Sequence, residues 1–294
     1  MTLIPAYRNR PSALHAARAS AGAAFCCAFA LAGALYGHPL VLAGALCGIA
    51  VAGAAAGVGR EVARSLRLAL PFAALLAVVN ALVYQGGDTL LVRGDEFLGR
   101  RWDITLEATV AGAINGLRIV VLIAALGGLM SAAVDPDQLL RAVRRLSYRS
   151  ALTAALATRL VPVMARDAAR MSDAARCRPH PPSRLAAVRA VLAGALDRAV
   201  DVAAALEVRG YALAGRPARE RRPWSRHDLS IGAAALAIAA VAVAGVALGV
   251  GYVEPYPTLE LALGPGELAV ATAFVVLGAA PLAGRSARLG VARA

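Results

Sequence analysis

Lysine is absent from this chain, aromatic residues make up 5% of it, and only 17% of positions are charged. All 31 basic residues are therefore arginine. Alongside so much alanine, that reads as a GC-rich coding sequence rather than a chemical requirement. The shortage of aromatic rings weakens any proposal that bases stack on this surface. Cysteine is scarce too. Cys26, Cys27 and Cys47 lie inside apolar runs, Cys177 stands apart, and no Cys-x-x-Cys pair occurs. That gives no support to a disulfide framework or a zinc site. Cys177-x-x-His180 is half of a metal site without its second half, so no metal ligand is assigned. There is no G-x-x-x-x-G-K-[ST] phosphate loop and no H-E-x-x-H pair. His15, His38, His180 and His227 are scattered over separate segments. Any nucleotide must be hydrolysed by another chain, and neither catalysis nor a cofactor is expected of this one.

What is present is apolar. Of 294 residues, 59% are hydrophobic, against about 45–50% in soluble domains. A bilayer core takes about 20 mostly apolar residues in a helix. Six stretches qualify: 19–36, 40–58, 68–85, 107–132, 230–251 and 267–284. Gly37, His38 and Pro39 separate the first two as a tight helical hairpin. The first run has no small-residue cleavage site ahead of a soluble body, so it is expected to stay as a helix. The expected fold is all-α: a polytopic membrane protein of six spans, divided into regions 1–134, 135–228 and 229–294.

The net charge of +13 first suggests nucleic acid, but its distribution argues otherwise. Residues 1–18, 59–67, 135–228 and 285–294 carry net charges of +3, +2, +9 and +3. Residues 85–107 and 251–267 carry −2 and −3. With six spans, every basic segment falls on one side and every acidic segment on the other. The positive-inside rule then puts the N-terminus and the 135–228 insert in the cytoplasm of a cell-membrane protein. The bilayer, not nucleic acid, accounts for the charge.

Small-xxx-small pairs at Gly33/Gly37, Gly44/Gly48, Gly112/Gly116 and Gly245/Gly249 suit close helix packing. Arg118 is the one charge well inside a span, near Asn115. It either makes a polar contact that fixes helix packing or meets a partner, or it reaches an interface.

The insert holds 94 residues, too many and too patterned for a loop. Asp135-Pro136 reads as an N-cap followed by proline at the first helical position. Leu139, Leu140, Val143 and Leu146 then recur at helical spacing. A second helix is expected over 150–177, with Leu152, Leu156, Leu160, Val163 and Met171 on one side. Its other side carries Arg159, Arg166, Arg170 and Asp173. A third runs from the N-cap candidate Ser183 to Arg209, with Leu185, Val188, Leu192, Leu196, Ala199, Val202 and Leu206 as its stripe. Gly210 occupies the position that ends such a helix. Such helices lie on anionic lipid or, with their interspersed acids, form a platform for a cytoplasmic partner.

These residues resemble the transmembrane T component of energy-coupling-factor transporters, the family that includes cobalt-transport permeases. The likeness covers about residues 10–215 and rests on the Asp135-Pro136 entry, Arg159-Leu160-Val161-Pro162 and two short arginine motifs. The motifs are Ala175-Arg176-Cys177 and Val208-Arg209-Gly210, the second followed by Tyr211. The first departs from the family pattern, with Cys177 where glycine is expected. The resemblance implies a non-catalytic subunit linking two ABC-type ATPase subunits to a membrane-embedded, substrate-binding S component for a vitamin or transition-metal ion. In it Arg176 and Arg209 contact the ATPases; spacing alone favours their capping helix ends. The alternatives are a conventional ABC permease that forms the substrate path itself and a membrane-embedded enzyme. A permease path needs polar lining, and only Asn80, Asn115 and Arg118 stand out within the spans.

Overall fold

The computed structural model describes residues 10–83, 89–92, 96–97, 100–101, 104–136, 138–139, 148–177, 179, 183–210, 223–251 and 264–279. It divides into two compact units, 1–142 with 224–294, and 143–223.

In the first unit a short helix α1 (Ala13–Ala16) precedes α2 (Ala19–Leu35), α3 (Pro39–Ala55), α4 (Gly59–Val83) and α5 (Leu106–Ala133). After the second unit come α8 (Arg226–Ala247) and α9 (Pro265–Gly278). Among the described residues α4, α5 and α8 are long and apolar enough to cross a membrane, and α2, α3 and α9 are shorter apolar helices. The fold is that of an all-α polytopic membrane protein. Its described extended pieces are four strands of two or three residues: β1 (Leu90–Val92), β2 (Glu96–Phe97), β3 (Arg100–Arg101) and β4 (Ile104–Thr105). They pair antiparallel as β1 with β4 and β2 with β3.

Each of the six apolar stretches forms a helix, with differences at the ends of three: the stretch expected over 230–251 is helical over Arg226–Ala247, and α4 and α9 also differ. Helix α4 begins at Gly59, not 68. Glu61 in its first turn suits the positive helix end, and Arg10 reaches both Glu61 and the Gly57 carbonyl. The charged stretch thus continues the helix instead of preceding it. Helix α9 ends at Gly278, and 280–284 lie outside the described residues.

Small residues set the helix spacing. A Cβ on Gly44 would lie 2.7 Å from the Ala271 Cα, and one on Gly48 2.5 Å from the Phe274 carbonyl oxygen, so α3 and α9 touch backbone to backbone. Gly112 and Gly116 bring α5 equally close to Ala77 and Ala73 of α4. Dispersion over such seams holds helices together where lipid supplies no hydrophobic drive. Three of the five phenylalanines meet in the core. Phe25 packs edge-on to Phe29 at 5.3 Å, and Phe274 lies 6.4 Å from Phe29 and 6.0 Å from Tyr36. Leu70, Phe72, Leu75, Val78, Val79 and Val83 of α4 remain exposed, an apolar surface suited to lipid. In α5, residues Ile123–Met130 are wound as a π-helix, and the Ser131 hydroxyl donates to the Gly127 carbonyl beside it.

The second unit is a pair of long helices, α6 (Tyr148–Arg176) and α7 (Arg184–Val208). Of the helix expected after Asp135, the described part is one turn, with the Leu139 N–H donating to the Asp135 carbonyl at 3.1 Å. Residues 140–147 lie outside the described residues.

Candidate coupling site

Local chemistry fixes where the two helices of the 143–223 unit end. Ser183 caps α7, its Oγ accepting from the Ala186 N–H at 3.2 Å. At the other end the Arg209 N–H bonds to the Ala205 carbonyl, and Gly210 takes a left-handed φ of +77°. Glycine alone reaches that conformation without a Cβ penalty, so the helix stops at Val208, with Arg209 as its C-cap. The adjacent Val208 is 90% exposed, which leaves the tip uncovered. Arg176 is the last residue of α6, followed by an exposed Cys177 with a free thiol. Ala175 is half-buried just ahead of it.

Arg176 and Arg209 are thus both exposed at the C-terminal end of a long helix, Arg176 as its last residue and Arg209 as its C-cap. Among the described residues neither guanidinium has an ion-pair partner. A planar, permanently charged fork held in the open is suited to a carboxylate on another chain. Tyr211 lies outside the described residues.

An ion pair ties the helices together. Asp167 of α6 accepts from Arg198 of α7 at 3.0 Å and lies 3.2 Å from Arg170 on its own helix. Exposed Pro162 lacks the N–H that would bond one turn back, and its carbonyl accepts from Arg166 Nε at 3.2 Å. Arg159 is exposed on the same helix.

The expected stripe on α7 is met only at its C-terminal end, by Val202 and Leu206. Half-buried positions are Ala187, Val191, Ala195, Arg198, Val202 and Leu206, whereas Leu185, Val188, Leu192 and Leu196 are exposed. The pairing favours the side where Ala187 and Ala195 permit close approach and Arg198 reaches Asp167. It leaves the larger side chains uncovered.

Arg118 and Asn115 belong to the first unit. Both are half-buried in α5, and Arg118 donates to the Tyr36 carbonyl at 2.7 Å and to Asn115 Oδ1 at 3.4 Å. The packing reading of Arg118 thus has a geometric partner. Among the described residues no group of three His, Cys, Asp or Glu side chains converges as metal ligands would. The sequence reading missed Asp167, Arg198 and Asp228. Only Asp228 carried a legible signal, the Ser225-Arg-His-Asp228 spacing of a capping box.

No curated protein matches the chain. The family model described as CbiQ, cobalt transport protein, matches residues 11–219, a stretch that takes in both arginine tips. That stretch exceeds two thirds of the 294 residues, and the chain belongs to the CbiQ family of cobalt transport proteins.

Proposed function

We propose that this protein is the membrane-embedded coupling subunit of an energy-coupling-factor importer. It stands between two cytoplasmic ATPases and a substrate-binding S component that delivers a transition-metal ion or a vitamin. The observation that carries the reading is the pair of exposed arginines, each ending one of two long helices, 33 positions apart. Two such tips suit two similar grooves on a pair of like subunits. Family membership supports the transport role. The charge asymmetry of the connecting segments supports a cytoplasmic N-terminus and a cytoplasmic 135–228 insert. In this reading Ala175, Arg176, Cys177, Val208, Arg209 and Gly210 form the contact, and Arg159, Pro162 and Tyr211 support it. The subunit itself does no chemistry.

The test is retention of the ATPase pair by the solubilised chain, compared with an Arg176→Ala, Arg209→Ala double variant. Removing a desolvated arginine from a carboxylate costs about 2–5 kcal/mol, a loss of roughly thirtyfold to several thousandfold in affinity. Lysine keeps the charge without the fork and restores part of it. Helix capping alone predicts an effect of about 1 kcal/mol or less, with lysine as good as arginine. Full ATPase retention and uptake by the double variant would refute the assignment.

A further inference from the structure

The membrane unit, 1–142 with 224–294, holds both ends of the stretch that carries the two arginines. Both ends rest on one short segment around α1 and the start of α2. On the outgoing side Leu14, His15 and Arg18 line a recess with Val134, Asp135 and Gln138. On the returning side Asp228 is fully buried. Its Oδ1 accepts from the Arg18 backbone N–H at 2.6 Å, and its Oδ2 lies 3.3 Å from Arg18 Nε and accepts from the Ser225 N–H at 2.9 Å. The Asp228 N–H in turn donates to Ser225 Oγ at 3.1 Å, completing a capping box on α8. Trp224, the first residue back in the unit, places its ring 4.9 Å from the Arg18 guanidinium carbon.

This is a different object from a surface ion pair. Exposed pairs re-form with water at little cost. A buried carboxylate with both oxygens engaged is strongly disfavoured once it loses a partner. The joint therefore resists opening, and it lies where the chain passes from the 143–223 stretch into α8. Arg18 is also the N-cap of α2, so the Asp228 carboxylate, held by the Arg18 backbone N–H and faced by its guanidinium, fastens α8 to the start of α2 at the point of re-entry.

We infer that Arg18 and Asp228, with Trp224, are the positioning residues through which force on the coupling helices reaches α2 and α8. The inference rests on the coupling function proposed above. Arg18 and Asp228 touch no ATPase in it; they make motion of the helix tips into motion of the membrane helices. Without the joint, the ATPases still dock and turn over, but their strokes are taken up as slack.

The experiment uses the full transporter, purified with the partners it retains and reconstituted in liposomes, with radioactive cobalt(II) as the probe. It reads ATPase retention, ATP hydrolysis and cobalt accumulated per ATP. Arg18→Gln is expected to keep the ATPases and lower cobalt per ATP by at least about fivefold, the lower end of inter-site coupling. Arg18→Lys, which keeps the charge, is expected to recover most of it. A merely structural role predicts less inserted protein, with uptake and hydrolysis falling together and the ratio unchanged. That result overturns the inference. Trp224→Leu tests the joint at an exposed position if Arg18→Gln fails to insert: it keeps apolar bulk and loses the cation–π contact. A ratio equal to that of the unsubstituted chain overturns the inference there too. An unsubstituted chain that retains no ATPases overturns the parent reading instead.

Discussion

Arg118 Nε donates to the Tyr36 carbonyl at 2.7 Å, joining residues 82 positions apart in sequence. Tyr36 is the C-cap of α2, where carbonyls lack partners in their own helix. Arg118 lies twelve residues into α5, about 18 Å along it at 1.5 Å per residue. The α2–α3 hairpin therefore ends beside the middle of α5 rather than beside its start. That placement explains why an arginine is tolerated inside a span: it meets a helix-end backbone carbonyl that its Nε satisfies.

Arg118→Met leaves the Tyr36 carbonyl unsatisfied and is expected to cost about 1–3 kcal/mol. Asn115→Ala should cost less, because its contact is the longer one at 3.4 Å. Thermal unfolding of the solubilised protein measures both. A rise in stability with methionine would mean that burying the charge outweighs the bond.

The α3–α9 seam offers a steric test. Gly44→Ala puts a Cβ against Ala271 backbone, which cannot swing aside, and should destabilise by about 1–3 kcal/mol. Gly194→Ala in α7 meets nothing within 4 Å and should gain about 0.5–1 kcal/mol from helix propensity. The same unfolding assay compares them; equal effects would remove the seam.

Gly210→Ala forces a side chain into the left-handed conformation at φ +77°. The cost is about 1–2 kcal/mol, borne by the end of α7 and so by the placement of Arg209. The measurement is ATPase retention beside thermal stability. Retention is expected to fall while α6 and its Arg176 are undisturbed. An unchanged α7 end and full retention would show that the tip tolerates other geometries.

Orientation is tested by labelling in a background without the four native cysteines. Thr89 and Ser183 are both exposed, so a cysteine at either reacts once a reagent reaches it. An impermeant maleimide on intact cells is expected to label Thr89→Cys and to spare Ser183→Cys. The reverse pattern would invert the proposed topology.

The sequence by itself determined the features that depend on neighbours within one or two turns. Apolar runs located all six apolar helices, three of them long enough to cross a membrane, since the length of bilayer to be crossed sets the length of the run. Ser183 and Gly210 marked the ends of α7, because a cap bonds to groups three or four residues away. Local pattern failed where a partner lies far along the chain. Periodicity gave α7 a stripe from Leu185 through Leu196 to Leu206; Val202 and Leu206 are half-buried, yet further up the helix the paired face runs through Ala187, Ala195 and Arg198, because α6 selects the side that allows close approach. Likewise nothing near Arg118 indicates Tyr36, and nothing near Arg18 indicates Asp228, 210 positions away. Tertiary structure alone decided these pairs: a buried charge takes whichever acceptor the packed helices bring within 3 Å or so, and helix stagger has no signature in a single helix.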